Sequence, residues 1–522
     1  MPKCGWQSAF PRAVGPDVRR VDAGEAPSPG RTDGHLMTGI TALAIHLPRL
    51  RLQRAAMAAA MGWLCPRGET RGARTLAYWD EDPITMAVAA ARACLAQAER
   101  NGIPEARTAV RALTFATTTP VFAEPQQAAL VHAALRLPEA TRAQDVGGTM
   151  RCGLLALHAA LESSEPALLT AADMPLNTPG GTAEMRYSDG GVSTLIGCGP
   201  DLLTYRGGAG LSAPFIERYR APDRPLATDW EERWVREEGF LDLVPRAIAE
   251  ALGKAQLSAE EIDHFVLPCV IPGAAKAVAQ AAGLSRAKLA QPLDLECGDT
   301  GAAHALVMLA RAMEDMRPGE RVLVAQFGQG ATALVLQATD AITGFPATTS
   351  ASLADGVAEA NYLKLPIFRG LMPWERGLRG RFPVNEALTT AYRNSEALLG
   401  FVGGRSPETG QVQFPPSRLA VSEAGFFAET QQPWPLADLG GTVATATADR
   451  LAFSRSPPNC YGLIDIPGGA RLMMDFTDPD AERLSPGDAV RFVFRIKDLD
   501  ERTGFRRYFW KAVAAPASPA AA

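Results

Sequence analysis

Residues 143–163 read AQDVGGTMRCGLLALHAALES, a run that predicts an extended segment, a tight Gly-Gly turn and an apolar helix in succession. Cys152 stands where that helix begins. A thiol at a helix N-terminus lies near unsatisfied backbone N–H groups and the positive end of the helix dipole, both of which favour the thiolate. The pattern therefore indicates a nucleophilic cysteine. The alternative is a small, buried core cysteine.

Strand-like and helix-like segments alternate on both sides of this stretch, from residue 37 to residue 339. Strands that alternate with helices predict a mostly parallel sheet covered on both faces. The turns at Gly190-Gly191 and at Gly328-Gln329-Gly330 occupy equivalent ends of two similar halves, which indicates an internal duplication. After residue 441, five short apolar segments separated by Pro, Gly and Asp turns predict a small β-barrel, most simply an OB-fold.

These patterns divide the chain into seven segments. The N-terminal extension lacks the apolar core of a signal peptide and is expected to be disordered, as is the Ala-rich tail. The segments are the extension 1–36, a first half 37–204, a second half 205–339, a linker 340–360, a mixed region 361–440, the barrel 441–514 and the tail 515–522.

The composition excludes several classes of function. A formal net charge of −5 disfavours a nucleic-acid or anionic-membrane binder, which would normally show a basic face. No apolar run is long enough to span a bilayer. The eight cysteines form no CxxC pair, which fits a reducing compartment and a cytoplasmic location and indicates neither a disulfide scaffold nor a zinc site.

Three stretches together resemble the thiolase superfamily: residues 37–49 (MTGITALAIHLPR), residues 78–82 (YWDED) and the Cys152 turn and helix. Within the superfamily the chain is most similar to 3-hydroxy-3-methylglutaryl-CoA synthase and ketoacyl-ACP synthase III. The resemblance implies two βαβ-rich halves packed as a duplicated αβαβα sandwich, with a central sheet edge that forms a homodimer. It also implies a CoA thioester as substrate and no permanently bound cofactor.

The resemblance also assigns roles to particular residues. Cys152 would accept the acyl group, and backbone N–H groups near Cys152 and Gly330 would bind the developing oxyanion. Cys269 stands where ketoacyl synthase III has its histidine, and Asp299 stands at the relatives' asparagine. Thr118 occupies the place of the synthase's general-acid glutamate, with Glu124 as a substitute. A thiol is a weak hydrogen-bond donor and a poor replacement for imidazole.

The last third of the chain resembles OB-fold proteins that associate with thiolases. Those proteins carry a zinc ribbon before the barrel, but here Ser406-Pro407-Glu408-Thr409-Gly410 replaces the first cysteine pair. Without thiolates, a metal-free remnant is expected. Two functions stay open: an acyl-CoA condensing enzyme of the hydroxymethylglutaryl-CoA synthase type, or a catalytically degenerate subunit that scaffolds or completes a partner thiolase.

Overall fold

Two half-sheets with the same internal order form the core of the chain in this computed structural model. The structure describes residues 38–64, 69–163, 165–375, 387–422, 425–428 and 430–516. The predicted N-terminal extension and most of the predicted tail lie outside this range. The first half contains β1 (Gly39–His46), β2 (Leu50–Gln53), α1 (Arg54–Met61), β3 (Ala73–Leu76), α2 (Pro83–Arg100), α3 (Ala106–Ala109), β4 (Ala112–Ala116), α4 (Ala128–Leu135), β5 (Arg142–Val146), α5 (Cys152–Glu162), β6 (Ala167–Asp173), α6 (Thr182–Arg186) and β7 (Gly190–Ile196).

The second half repeats this plan. Its main elements are β8 (Leu203–Ser212), β9 (Arg218–Tyr219), β10 (Thr228–Asp229), α7 (Glu232–Trp234), a π-helical segment (Val235–Leu243) that continues into α8 (Val244–Ala255), β11 (His264–Val266), α9 (Ala274–Ala281), β12 (Lys288–Leu289), α10 (His304–Met313), β13 (Arg321–Phe327) and β14 (Gly330–Ala338). The strand orders are β5-β4-β6-β7-β1 and β12-β11-β13-β14-β8, and β1 pairs with β8 to join the two half-sheets. In chain order both halves read 3-2-4-5-1, as the predicted duplication requires.

The predicted parallel sheet is wrong in part, because the sheet is mixed. Pairing is parallel among β4, β5 and β6 and among β11, β12 and β13. The remaining pairs are antiparallel, including β13 with β14 and β6 with β7. The turn between β13 and β14 is too short for the crossover that a parallel pair needs.

Five layers follow from the alternation of buried side chains along the strands. Leu168 packs in the cluster that contains α2 and α4, whereas Leu169 packs in the cluster that contains α5 and α10. On β13, Val322 faces α5 and α10, and Leu323 faces α8 and α9. Helices α5 and α10 therefore lie between the half-sheets, and the layers read αβαβα.

The described part of the C-terminal region begins with the predicted linker, which packs against the sandwich. Strand β15 (Val357–Glu359) pairs with β2, so the segment 340–360 is a packed connection. The elements are α11 (Thr348–Ala354), β15, α12 (Lys364–Phe368), α13 (Leu388–Arg393), α14 (Ser395–Leu398), β16 (Val402–Arg405), β17 (Val412–Gln413), β18 (Leu419–Ser422), β19 (Gly425–Ala428), β20 (Gln432–Pro435), β21 (Gly441–Asp449), β22 (Asn459–Ile466), β23 (Ala470–Asp475), β24 (Ala489–Asp500) and β25 (Phe505–Ala514). Strands β23-β22-β21-β24-β25 form the predicted barrel, and a bridge between Phe476 and Ala512 brings its two ends together.

The turn at Ser406-Pro407-Glu408-Thr409-Gly410 is held by its own hydrogen bonds. The Gly410 N–H donates to the Ser406 carbonyl at 2.8 Å, and Arg405 lies over the Trp434 ring at 4.4 Å. Among the described residues, no three His, Cys, Asp or Glu side chains come together in a way that could hold a metal ion. No described helix is long and apolar enough to cross a bilayer.

Three consecutive carboxylates at the start of α2 attach the barrel to the sandwich. Asp80, Glu81 and Asp82 are at most 4% exposed. Asp80 accepts hydrogen bonds from Lys511 Nζ at 2.8 Å and Thr477 Oγ1 at 2.7 Å, and Glu81 lies 3.1 Å from Arg495 Nη2. Buried charges persist only where such partners satisfy them. The YWDED segment is therefore the docking element for the barrel.

Asp82 has a second task, because it also caps α2. Its carboxylate accepts the Thr85 N–H at 3.0 Å, while Thr85 Oγ1 accepts the Asp82 N–H at 2.8 Å. The other carboxylate oxygen, Oδ2, accepts hydrogen bonds from Tyr508 and Arg506 of β25, both at 2.8 Å. One side chain thus fixes both the start of a core helix and the position of a barrel strand.

Replacement of Lys511 by methionine should destabilise the protein strongly, because it leaves the buried Asp80 carboxylate without its ammonium partner. We expect the free energy of unfolding to fall by about 3–5 kcal/mol, measured by urea denaturation followed by circular dichroism. The matched control is Lys497→Met in the same barrel, whose partner Asp475 lies at the surface. That change should cost less than about 1 kcal/mol. Equal costs for the two variants would contradict the docking role.

Candidate functional site

A close backbone approach fixes the turn before α5. A Cβ on Gly147 would lie 2.4 Å from the Thr117 carbonyl oxygen, so only glycine fits there, and Gly148 has a φ of +84°. The Cys152 N–H donates to the Thr149 carbonyl at 3.0 Å, which closes the turn. The start of α5 is thereby held against the end of β4.

Cys152 is the first residue of α5, as the sequence predicts, but its thiol lies in the apolar layer between the half-sheets. The residue is 3% exposed. Burial raises the pKa of the Cys152 thiol, the nearby Asp173 carboxylate raises it further, and the N–H groups of Gly153 and Cys152 offset only part of this rise. Desolvation and a like charge thus act against the thiolate at Cys152 and oppose the effect of the helix N-terminus.

Asp173, at the end of β6, is the residue that organises this part of the structure, and the sequence analysis missed it. It is fully buried, and its carboxylate accepts six hydrogen bonds, at distances of 2.7–3.2 Å. Five come from the hydroxyl or N–H groups of Thr117, Thr118 and Thr119, and one comes from the Ala302 N–H. The sequence does contain a sign of this role, because Asp173 is an aspartate at the end of an otherwise apolar strand.

A cleft of about 560 Å³ opens beside this cluster. Met150 lines it at the start of α5, whereas Cys152 does not, and no cysteine or histidine is among the lining side chains. Cys152 and Met150 are two residues apart and point to different sides of the turn. The lining includes Thr117, Thr118, Thr119, Phe122, Gly147, Gly148, Thr149, Met150, Met174, Glu217, Arg218, Arg220 and Arg506.

The structure brings Cys269 and Asp299 near each other but places neither on this cleft. Burial, with a smaller contribution from Asp299, raises the pKa of Cys269 to about 12. The Asp299 carboxylate accepts the Gly301 N–H at 2.8 Å, and the Asp299 carbonyl accepts the Ser188 N–H at 2.7 Å. Both contacts are those of a residue that shapes a turn.

Glu124 and Gly330 also lie outside the cleft lining. Glu124 is exposed, and Gly330 is buried with a φ of +119°. In the turn before Gly330, the Gly328 N–H donates to the Gly330 carbonyl and the Gln329 N–H donates to Glu217. Because these two N–H groups already donate to acceptors within the protein, they do not contribute to the predicted oxyanion hole.

Arg151 fills the space between α5 and that turn. Its guanidinium donates to the carbonyls of Gly328 at 2.7 Å and Gln329 at 3.3 Å, and to Thr332 Oγ1 at 2.9 Å. Arg151 is 5% exposed. The turn therefore presents carbonyl oxygens to a buried cation at the start of α5.

His304 and Lys276 have ordinary surroundings. His304 is buried, with its ring nitrogens 2.9 Å from the Pro292 carbonyl oxygen and 3.3 Å from Thr300 Oγ1, which are the contacts of a packed core residue. Lys276 is exposed and does not line the cleft.

The polar side of the cleft is predominantly cationic. Arg220 donates to the Thr118 carbonyl at 3.0 Å, and Arg218 pairs with Asp229 at 3.5 Å and lies over the Tyr187 ring. Burial raises the pKa of Glu217, and its carboxylate accepts the Gln329 N–H at 3.2 Å. The Asp145 carboxylate is occupied in capping α4, where it accepts the N–H groups of Gln127 and Ala128. An anionic ligand is favoured by this balance.

Two domain families match parts of the chain. Residues 252–338 match the C-terminal domain of 3-oxoacyl-[acyl-carrier-protein] synthase III, and residues 434–495 match the C-terminal OB-fold domain of ChsH2. These matches agree with the duplicated sandwich and the barrel described above.

The curated proteins that resemble the sandwich are condensing enzymes, and their sequence identity to this chain is low. The chain is 26% identical to a hydroxymethylglutaryl-CoA synthase of Caldivirga maquilingensis over 337 residues, which cover 59% of this chain and 90% of that protein. It is 29% identical to a β-ketoacyl-[acyl-carrier-protein] synthase III of Streptococcus sanguinis over 154 residues, which cover 29% of this chain and 44% of that protein.

Solved structures show the same thiolase-like fold. MvaS in complex with 3-hydroxy-3-methylglutaryl coenzyme A aligns with a TM-score of 0.53 and 18% identity, over 66% of this chain and 95% of that chain. An HMG-CoA synthase complexed with CoA aligns with a TM-score of 0.54 and 16% identity, over 67% and 95%. The predicted fold class, a thiolase-like α/β sandwich followed by an OB-fold, is confirmed.

The burial of Cys152 predicts a slow reaction with iodoacetamide. In the native protein at pH 7.5, we expect the Cys152 peptide to be alkylated at least tenfold more slowly than in urea, because both the raised pKa and poor access suppress the reactive thiolate. Peptide mass spectrometry separates Cys152 from the other thiols, and the urea-unfolded protein is the control. An alkylation rate that levels off near pH 7 would show an activated thiolate and contradict this placement.

Proposed function

We propose that this chain, a thiolase-fold relative of hydroxymethylglutaryl-CoA synthase and ketoacyl-ACP synthase III with a C-terminal OB-fold domain, binds a CoA thioester without forming an acyl-cysteine. In this proposal it is a non-condensing subunit that assists a separate thiolase. The observation that carries the proposal is a cleft whose described lining contains neither a thiol nor an imidazole.

The chemistry of condensation explains why this observation supports the proposal. Transfer of an acyl group to an enzyme needs an accessible thiolate, and the second half-reaction needs a group that moves a proton near neutral pH. Cys152 is buried with a raised pKa, and Thr118, in place of the relatives' glutamate, donates its hydroxyl hydrogen to Asp173 at 2.7 Å. Neither requirement is met at the cleft.

Binding of the thioester is supported by the size and charge of the same cleft. A volume of about 560 Å³ falls within the range of small-molecule sites. Three arginines on its lining provide donors for phosphate or carboxylate oxygens. Two structural neighbours were solved with CoA or 3-hydroxy-3-methylglutaryl-CoA bound.

The partner is proposed from the OB-fold domain and from the sequence resemblance to OB-fold proteins that associate with thiolases. Homodimerisation through the sheet edge at β5 and a cytoplasmic location belong to the same proposal. The described cysteines are all free, which fits a reducing compartment.

A second candidate is the condensing enzyme itself. It is favoured by the match to a hydroxymethylglutaryl-CoA synthase over 90% of that protein's length. In that case the start of α5 would have to rearrange to bring Cys152 to the cleft, and Asp299, Cys269 or Glu124 would have to approach it.

Incubation with acetyl-CoA distinguishes the two functions. We expect calorimetry to detect binding of CoA and acetyl-CoA, and intact mass spectrometry to detect no acetyl adduct, in both the wild type and Cys152→Ser. The controls are a bacterial ketoacyl synthase III, which forms the adduct, and Cys269→Ser. An adduct that is present in the wild type and lost only in Cys152→Ser would establish the condensing enzyme.

A further inference from the structure

The barrel contributes directly to the wall of the cleft. Arg506, on β25, is among the lining side chains, although every other lining residue belongs to the sandwich. The neighbouring Phe505 ring lies 6.0 Å from the ring of Phe122, which also lines the cleft. The β24–β25 hairpin therefore closes one side of a site that the thiolase fold opens.

Arg506 is held in position by a buried carboxylate. Its Nη1 donates to Asp82 Oδ2 at 2.8 Å, and Asp82 is 0% exposed. Tyr508 and Thr85 donate to the same carboxylate, so the position of Asp82 is fixed independently of Arg506. A guanidinium has five N–H donors in a fixed plane, and Asp82 engages one edge of it. The side chain is partly exposed, with 22% accessible surface, and borders the cleft.

The charges around the cleft favour an anion next to Arg506. Arg220 lies on the same cleft and has no carboxylate at ion-pair distance among the described residues, whereas Arg506 shares its charge with Asp82. The two carboxylates on the lining are each engaged by backbone N–H groups: Glu217 accepts the Gln329 N–H, and Asp145 caps α4.

We propose that Arg506 of the OB-fold binds an anionic oxygen group of the ligand, so that the barrel completes the thiolase cleft as a specificity-determining wall. This inference rests on the proposed function, because the ligand is taken to be a CoA thioester. The anionic group is either a phosphate of CoA or a terminal carboxylate of the acyl chain. Arg506 can contact both with the same donors.

A thermodynamic consequence follows from this arrangement. A ligand that contacts both the sandwich and the barrel binds the docked form better than an undocked one. If docking of the barrel increases the affinity for the ligand by a given factor, the bound ligand increases the equilibrium constant for docking by the same factor.

The test compares Arg506→Met and Arg506→Lys with Arg507→Met by calorimetry. Arg507 is the adjacent residue on β25 and pairs with Asp498 on the other face of the strand, so it is the matched control. We expect Arg506→Met to weaken ligand binding at least tenfold, Arg506→Lys to weaken it less, and Arg507→Met to leave it within twofold. Unchanged binding in Arg506→Met would overturn the inference.

Two ligands identify the anionic group. If Arg506 contacts a CoA phosphate, Arg506→Met weakens CoA and glutaryl-CoA equally. If it contacts an acyl carboxylate, the loss is confined to glutaryl-CoA, and CoA and acetyl-CoA bind the variant as well as the wild type. Absence of CoA binding by the wild type would instead overturn the proposed function, which separates the two failures.

A chemical measurement on the wild type avoids any effect of the substitution on folding. Phenylglyoxal modifies exposed guanidinium groups, and peptide mass spectrometry reports the extent at each arginine. Saturating CoA or glutaryl-CoA should protect Arg506 at least fivefold and leave Arg507 unchanged. Equal modification of Arg506 with and without the bound ligand would contradict the contact.

Discussion

Burial of three adjacent carboxylates, Asp80, Glu81 and Asp82, is the constraint on which the arrangement of this chain depends. Burial favours protonation of Glu81, but Arg495 and His46 outweigh it, so that the pKa of Glu81 falls to about 2. A segment with this charge density cannot be buried against an apolar surface. The sandwich and the barrel therefore require each other, because the barrel supplies Lys511, Arg495 and Arg506 to the segment that begins α2.

A second buried carboxylate, Asp173, is satisfied differently. It has no cation within ion-pair distance among the described residues and depends on hydroxyl and N–H donors from the segment after β4 and from the turn before α10. The Asp173 carboxylate therefore links the two halves of the sandwich through hydrogen bonds from both of them. It also places a negative charge beside Cys152, where it opposes ionisation of the thiol. The feature that holds the two halves together thus also raises the pKa of the Cys152 thiol.

The fold could be predicted from the sequence, but the orientation of the site could not. Alternating strand and helix segments and the repeated Gly-rich turns define the sandwich, and five turn-bounded segments define the barrel. The bounds of α5 were also clear, because Cys152 is its first residue. Which of Met150 and Cys152 faces the cleft depends on the rotation of one turn, and this rotation is set by Gly147 packing on Thr117. The contact between Asp82 and Arg506 joins residues 424 positions apart, and no local sequence pattern indicates a contact at such a separation.

The contacts of Arg151 indicate that the start of α5 has a structural role. A guanidinium buried at this point needs acceptors, and the carbonyls of Gly328 and Gln329 provide them. An oxyanion hole needs the opposite polarity, with N–H groups turned towards the reacting atom. Rotation of the turn to expose N–H groups would leave the buried Arg151 guanidinium with Thr332 as its one remaining acceptor among the three described, which is costly for a buried charge. The polarity of the turn therefore supports the proposed non-condensing function. The same cleft keeps its arginines, including the one that reaches it from the barrel, and so retains what recognition of an anionic thioester needs.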